Sequence, residues 1–225
     1  METPLDGRGP SRETPSSTLL QELFPEDKAI HRYIDLLAGI GVNRGLIGPR
    51  EVPRLWSRHV LNCAVIAPAF PHGSSVVDVG SGAGLPGVVL ALARPDLRVC
   101  LLEPLLRRAT FLGEVVADLG LENVEVVRAR AEELHAVRTF TVATARAVAP
   151  LHRLMEWCWP LVAPGGRMLA LKGAAAQDEV VSSRSVLRRF GIGAVVEQWG
   201  ADMTTPPTTL VRIESLSGRG RTDPL

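Results

Sequence analysis

In "VVDVGSGAGLPG" (76–87), Asp78, Gly80, Gly82 and Gly84 follow the spacing D-x-G-x-G-x-G directly after an apolar run. Glycines this dense let a backbone approach a small ligand closely. Two ligands fit them. Gly82 to Gly87 also satisfies G-x-G-x-x-G, the dinucleotide pattern, and Glu103 lies about 20 residues downstream, where it would meet ribose hydroxyls. An acid placed just before the loop instead favours the cationic amino acid moiety of S-adenosylmethionine, because it would repel a pyrophosphate. Glu103 suits both ligands. Leu85 continues the loop, and Arg130-Ala131-Glu132 follows a later apolar run, where an adenine would be bounded.

The acceptor can be narrowed by the groups that are missing. Amino-group methylation of adenine or cytosine usually relies on an Asp or Asn before two prolines at the end of the fourth strand. This chain reads Ala145-Arg146-Ala147-Val148-Ala149-Pro150 there. Carbon-5 methylation of pyrimidines needs a nucleophilic cysteine, usually preceded by proline, and Cys63, Cys100 and Cys158 all lack it. Ribose 2′-O methylation commonly uses a Lys-Asp-Lys-Glu set to deprotonate a hydroxyl, and the two lysines here, Lys172 and Lys28 of the amino-terminal helical region, do not supply it. An acceptor that needs no deprotonation remains, and guanine N7 is one, with an O6/N7 edge that Arg or Lys can grip. Arg146 and Lys172, at the tips of the fourth and fifth strands, are the candidate catalytic cations. Arg58, His59, Arg107, Arg108 and Arg130 are candidate RNA contacts. His59 is not read as a base. No cysteine spacing suggests a metal site.

These residues must be carried by alternating strands and helices. SVVDV, RVCLLE, VEVVRA, TVATA and MLALK read as short strands buried on both faces, separated by helical segments such as PLLRRATFLGEVVADLG. VVEQW and LVRIE would add two last strands, partly antiparallel. The expectation is a doubly wound α/β domain with its ligands beyond the carboxyl ends of the strands. Ahead of it, PEDKAIHRYIDLLAGIG predicts one helix, and a second begins near Pro49 with an apolar face through Val52, Leu55, Trp56, Val60 and Cys63. The expected organisation is a disordered tail over 1–18, a helical region over 19–72, a catalytic domain over 73–214 and a flexible tail over 215–225. A length of 225 residues accommodates this, and 25 basic against 24 acidic residues give no global signature of a nucleic-acid binder. No membrane-length apolar run occurs, and free cysteines in apolar settings suit a reducing cytoplasm.

"RHVLNC" (58–63), "DVGSGAGLPG" (78–87), "LLEPLLRRATFL" (101–112), "RAEE" (130–133), "ARAVAPL" (145–151) and "GGRMLALKG" (165–173) occur in the order found in one family. From about residue 28 to about 175 the chain resembles the 16S ribosomal RNA guanine-N7 methyltransferases, also called glucose-inhibited division protein B. That resemblance implies a class I S-adenosylmethionine methyltransferase (Rossmann-like) fold, a seven-stranded mostly parallel sheet with extra amino-terminal helices. It also implies a cytoplasmic bacterial enzyme acting on a guanine of the 530 loop in 16S rRNA, whose loss gives low-level streptomycin resistance; free rRNA, a precursor particle and the 30S subunit stay open as the substrate, and a monomer is the expected state. Carried over by motif, its cofactor contacts fall on Gly80, Leu85, Ala131, Glu132 and Arg146, and its positive groups on Arg130 and Lys172. Two departures stand out. Asn62 and Cys63 replace an Asp-Ser pair, and "TTPPTTLVRI" lacks an arginine that relatives carry near Thr205 or Thr208. Outside the resemblance, the rivals are a small-molecule methyltransferase, an NAD-dependent oxidoreductase and a noncatalytic RNA-binding module.

Overall fold

The computed structural model describes residues 14–146 and 149–216. Its sheet has the strand order β3-β2-β1-β4-β5-β7-β6. The strands are β1 (Ser75–Val79), β2 (Arg98–Leu102), β3 (Val124–Val127), β4 (Phe140–Arg146), β5 (Val162–Lys172), β6 (Ile192–Trp199) and β7 (Thr208–Ser215). β1 to β5 pair in parallel, and β7 runs antiparallel to both β5 and β6. Every strand expected from the sequence is present. β1 lies between β2 and β4, so the chain reverses its winding at the β1/β4 gap, and ligands of such sheets bind at the carboxyl end of that gap. The glycine loop leaves β1 there, and Arg146 ends β4.

Alternation along β1 divides the core into two layers. Val76 packs with the amino-terminal helices α1 (Ser17–Leu23), α2 (Asp27–Leu36) and α3 (Leu61–Ala64) and with α4 (Gly87–Ala93) and α5 (Leu106–Leu119). Val77 and Val79 face the opposite layer, which holds α6 (Ala131–Leu134), α7 (Leu151–Cys158), α8 (Ala176–Ser182) and α9 (Arg184–Phe190). The amino-terminal region is therefore one covering layer of the sheet, sharing its core through Tyr33, Leu55 and Val60. No helix among the described residues is long and apolar enough to cross a membrane.

Three expectations need correction. Helix α1 starts at Ser17, inside the segment expected to be a tail, because the Ser16 hydroxyl accepts from the Leu19 N–H at 3.3 Å and caps it. Residues 1–13 and 217–225 of the expected tails lie outside the described residues. The helix expected from Pro49 opens as a 3₁₀ turn (Pro49–Arg54) and continues as a π turn (Leu55–Val60) before α3. Pro53 has no N–H to sustain an α-helical ladder. Leu55, Trp56, Val60 and Cys63 are buried as expected, but Val52 is only partly so.

Candidate functional site

The glycine loop is held by residues far apart in sequence. The Gly82 N–H donates to Glu103 Oε2 at 2.9 Å, the Gly87 N–H to Asp78 Oδ2 at 2.9 Å, and the Tyr33 hydroxyl to the Ala83 carbonyl at 2.7 Å. Gly84 has φ +98°, and a Cβ there would lie 2.6 Å from Val88 Cγ2 and 2.9 Å from the Tyr33 hydroxyl. Tyr33 is fully buried and its hydroxyl is pushed well above the ordinary phenol range, chiefly by that burial.

Two cavities border this loop, and a third adjoins the first of them. The first, about 670 Å³, is walled by Gly80, Gly82, Leu85, Glu103, Arg108, Arg130 and Arg146. A smaller apolar slot of about 130 Å³ shares Gly80, Pro104 and Arg130 with it and adds Val79, Leu102, Ala131, Glu132 and Trp157. The third, about 820 Å³, is lined by Arg58, His59, Asn62, Lys172, Glu179 and the 206–209 segment. Glu51, His59 and Arg146 line both large cavities and form the wall between them.

The residues present fit S-adenosylmethionine. Glu103 closes one end of the first cavity, its oxygens already accepting from the Gly82 and Leu105 N–H groups at 2.9 and 3.0 Å. That leaves carboxylate lone pairs for ribose hydroxyls. The adjoining apolar slot suits a planar heterocycle, and the glycine loop opens the remaining space to an amino acid chain. Gly80, Gly82, Leu85, Glu103 and Arg146 thus share one cavity, with Ala131 and Glu132 in the slot beside it.

Asp78 and Gly84 do not reach either space. Asp78 is fully buried, with the parity of Val76, and faces the start of α4. It braces the loop and has no surface to offer a ligand. Burial pushes its carboxyl up to about 7, against the opposing effect of the Gly87 N–H, and its Oδ1 has no hydrogen-bond partner. The fold therefore prefers the neutral acid. With a folded pKa above the 3.8 of a free aspartate, its contribution to stability is full below about pH 4 and is lost as pH rises through 7. Asp78→Asn keeps an acceptor for Gly87 and removes the charge. Thermal melts should show the variant gaining on the wild type at about pH 8 and losing that advantage near pH 4.5. A difference that does not vary with pH would contradict this assignment.

Among the expected RNA contacts, Arg58 is exposed on the rim of the third cavity, 3.6 Å from Glu51 Oε1. Arg107 is exposed and lines neither large cavity. Arg108 belongs instead to the first cavity, 3.8 Å from Glu103 Oε2. Arg130 opens α6 at the junction of the first cavity and the slot. His59 is another correction, because its side chain is only 13 % exposed and both ring nitrogens are engaged. Nε2 lies 2.9 Å from Glu51 Oε2, and Nδ1 lies 2.6 Å from an Arg146 guanidinium nitrogen. Burial first, then Arg146, hold its imidazole below the ordinary histidine range. Lys172 lines the third cavity and not the first, and its ammonium donates to the Ala149 carbonyl at 3.0 Å and meets Glu179 Oε2 at 2.8 Å. Glu179 also accepts from the Leu151 N–H at 2.7 Å, so it ties β5 to the start of α7. The cysteines are buried, and burial raises the thiols of Cys63 to about 11 and Cys100 to about 12, which suits none of them to nucleophilic attack. Asn62 lines the third cavity, its amide donating to the Arg58 carbonyl at 3.1 Å.

Sequence reasoning missed Glu51, Glu179 and Tyr33. Glu51 and Glu179 are first-turn acids of the 3₁₀ turn and of α8, and Tyr33 is one apolar position among several on α2. Tyr33 and Glu179 reach the Ala83 carbonyl and the Leu151 N–H through tertiary contacts, whereas Glu51 meets Arg58 and His59 of the next turn.

Solved structures share this fold. Mitomycin 7-O-methyltransferase MmcR aligns with a TM-score of 0.55 at 18 % identity, over 83 % of this chain and 67 % of its own. A ribosomal protein L11 methylase from Lactobacillus delbrueckii subsp. bulgaricus gives 0.52 at 16 % identity, over 69 % and 76 %. The fold is that of the class I S-adenosylmethionine methyltransferases. In sequence, the chain is 56 % identical over 207 residues to the ribosomal RNA small subunit methyltransferase G of Nocardioides sp., covering 90 % of this chain and 83 % of that one. The protein of the same name from Thermobifida fusca is 54 % identical over 200 residues, covering 88 % and 84 %. The family described as GidB, rRNA small subunit methyltransferase G, matches residues 26–192, and the chain belongs to that family.

Proposed function

We propose that this protein transfers the methyl group of S-adenosylmethionine to N7 of a guanine in the 530 loop of bacterial 16S rRNA, acting on the 30S subunit or its precursor. One observation supports the choice of acceptor: His59, Lys172 and Glu179, side chains of the third cavity that could act as bases, each already have protein partners. His59 accepts from Arg146 at one nitrogen and faces Glu51 with the other, Glu179 is held by Lys172 and the Leu151 N–H, and Lys172 is a donor in both its contacts. Such a site suits an acceptor that already has a free lone pair. N7 of guanine is one.

When bound, S-adenosylmethionine supplies a sulfonium-activated methyl group that a lone pair takes without losing a proton. Glu103 would hold the ribose, Val79, Leu102, Ala131 and Trp157 the adenine, and the Gly80–Leu85 loop the amino acid portion. Arg146, in the wall common to both cavities, would meet O6 and leave N7 free. Lys172 keeps a third N–H for the base or its phosphate after its two protein contacts. The methylated base is a cation, and the carboxylates of Glu51 and Glu179 in the same lining offset its charge beside Arg146 and Lys172. Exposed Arg58 and Arg107, with Arg130, would position phosphates. The target base has to leave its stack to enter the cavity.

Calorimetry with S-adenosylhomocysteine and NAD, followed by transfer of labelled methyl groups to 30S subunits lacking this modification, tests the reading. Binding of S-adenosylhomocysteine and labelling of 16S rRNA are expected. Binding of NAD alone would replace the proposal with a dinucleotide enzyme.

A further inference from the structure

Arg146 is the side chain on which the two-cavity arrangement turns, and it sits at the last position of β4, where a long side chain has many rotamers to choose from. Something must hold it. Its contacts run to one short stretch of the amino-terminal layer, 87 residues away: His59 Nδ1 at 2.6 Å, the His59 carbonyl at 3.4 Å and Cys63 Sγ at 3.6 Å. A guanidinium has donors only, so Nδ1 must be the acceptor and carries no proton. Nε2 then carries the ring hydrogen and donates it to Glu51 Oε2 at 2.9 Å. Glu51 in turn lies on the 3₁₀ turn that precedes His59, so one local segment supplies both the ring and the carboxylate that fixes its tautomer.

We infer that His59 is a positioning residue for methyl transfer, holding Arg146 in the wall between the cofactor and base cavities as the neutral, Nε2-protonated tautomer oriented by Glu51. This rests on the two-cavity reading above. A proton added at Nδ1 removes the acceptor and places a second cation against the guanidinium. The charged groups around the ring are Glu51 from the 3₁₀ turn, Arg58 on its own turn and Arg146 from β4, while Lys172 of β5 and Glu179 of α8 line the same cavity. Of these, Glu51 alone contacts the ring as an anion, and Arg146 and Arg58 oppose protonation.

Two readouts separate this inference from the proposed reaction. The first needs no activity: ¹⁵N shifts of the His59 imidazole in the free protein near pH 7.5 should report a protonated Nε2 and an unprotonated Nδ1. The second is kinetic. His59→Ala should lower kcat by tenfold or more while changing KM for 30S subunits and the affinity for S-adenosylhomocysteine only a few-fold, as expected for a misplaced group that aligns reactants. His59→Gln, whose amide can accept from Arg146 and donate to Glu51, should restore most of the rate near pH 7.5. It should also abolish the acid limb expected of the wild type below the ordinary histidine range. An Nδ1-protonated or doubly protonated ring at pH 7.5 overturns the inference, and so does an unchanged kcat and pH profile in His59→Ala. Should the wild type methylate no RNA, the proposed reaction fails, and the ¹⁵N result still decides whether His59 is the unprotonated Nδ1 acceptor that holds Arg146.

Discussion

Lys172→Ala is expected to lower methyl transfer to 30S subunits by about two orders of magnitude and to leave the affinity for S-adenosylhomocysteine within a few-fold. The division between the cavities is the reason. Lys172 lines the third cavity, proposed to take the base, and not the first, proposed to take the cofactor, so its loss should act on alignment of the acceptor, which is where displaced groups cost about that much. The ammonium also ties the Ala149 carbonyl to Glu179, and so orders the start of α7. Lys172→Arg separates the two effects, because it keeps the charge and a donor for Glu179 while altering the reach into the cavity. A thermal melt of Lys172→Ala guards against simple unfolding. Unchanged turnover in a folded Lys172→Ala protein would remove Lys172 from the mechanism.

Gly87→Ala, at the junction of the loop with α4, should be a strongly damaging small substitution. A Cβ at Gly87 would stand 2.3 Å from Leu101 Cδ2 and 2.7 Å from Asp78 Oδ2, inside contact distance of both. Leu101 lies in the interior of β2 and Asp78 is fully buried, so neither has room to retreat. Overpacking of this kind costs about 1–3 kcal/mol, equivalent to a melting point lower by very roughly 2–12 °C in a chain of this size. The displaced Asp78 would release the Gly87 N–H and with it the loop that walls the cofactor cavity, so S-adenosylhomocysteine binding should weaken in parallel. Gly113→Ala is the matched control. Gly113 lies within α5 with nothing near its missing Cβ, and alanine there should stabilise by about 0.5–1 kcal/mol. A Gly87→Ala protein as stable as its Gly113→Ala counterpart would contradict the packing described for the loop.

The strands were legible because each is a short apolar run closed by a turn signal, and their alternation with helical segments dictated a parallel sheet with the loop at its switch point. The glycine spacing, Glu103 and the Arg130–Glu132 segment led to one contiguous space for the same reason: they follow successive strands at one end of the sheet. Asp78 was misread because a residue beside a ligand loop need not face the ligand. Its parity with Val76 turns it toward α4, and spacing alone does not reveal what occupies that side. His59 and Arg108 were read as candidate RNA contacts, whereas a carboxylate from the preceding turn or strand end meets each of them. Glu51 was hidden further by Pro53, which converts an expected α-helix into 3₁₀ and π turns and changes which side chains share a face.

The most direct test of the central claim is to incubate the protein and S-adenosylmethionine with 30S subunits from a strain lacking the endogenous modification, then treat the extracted 16S rRNA with borohydride and aniline, which break the chain at 7-methylguanosine. One new break at a guanine of the 530 loop, dependent on enzyme and cofactor, is the predicted result. Methyl label incorporated with no aniline-sensitive break, or a break elsewhere in the RNA, would contradict the assigned acceptor.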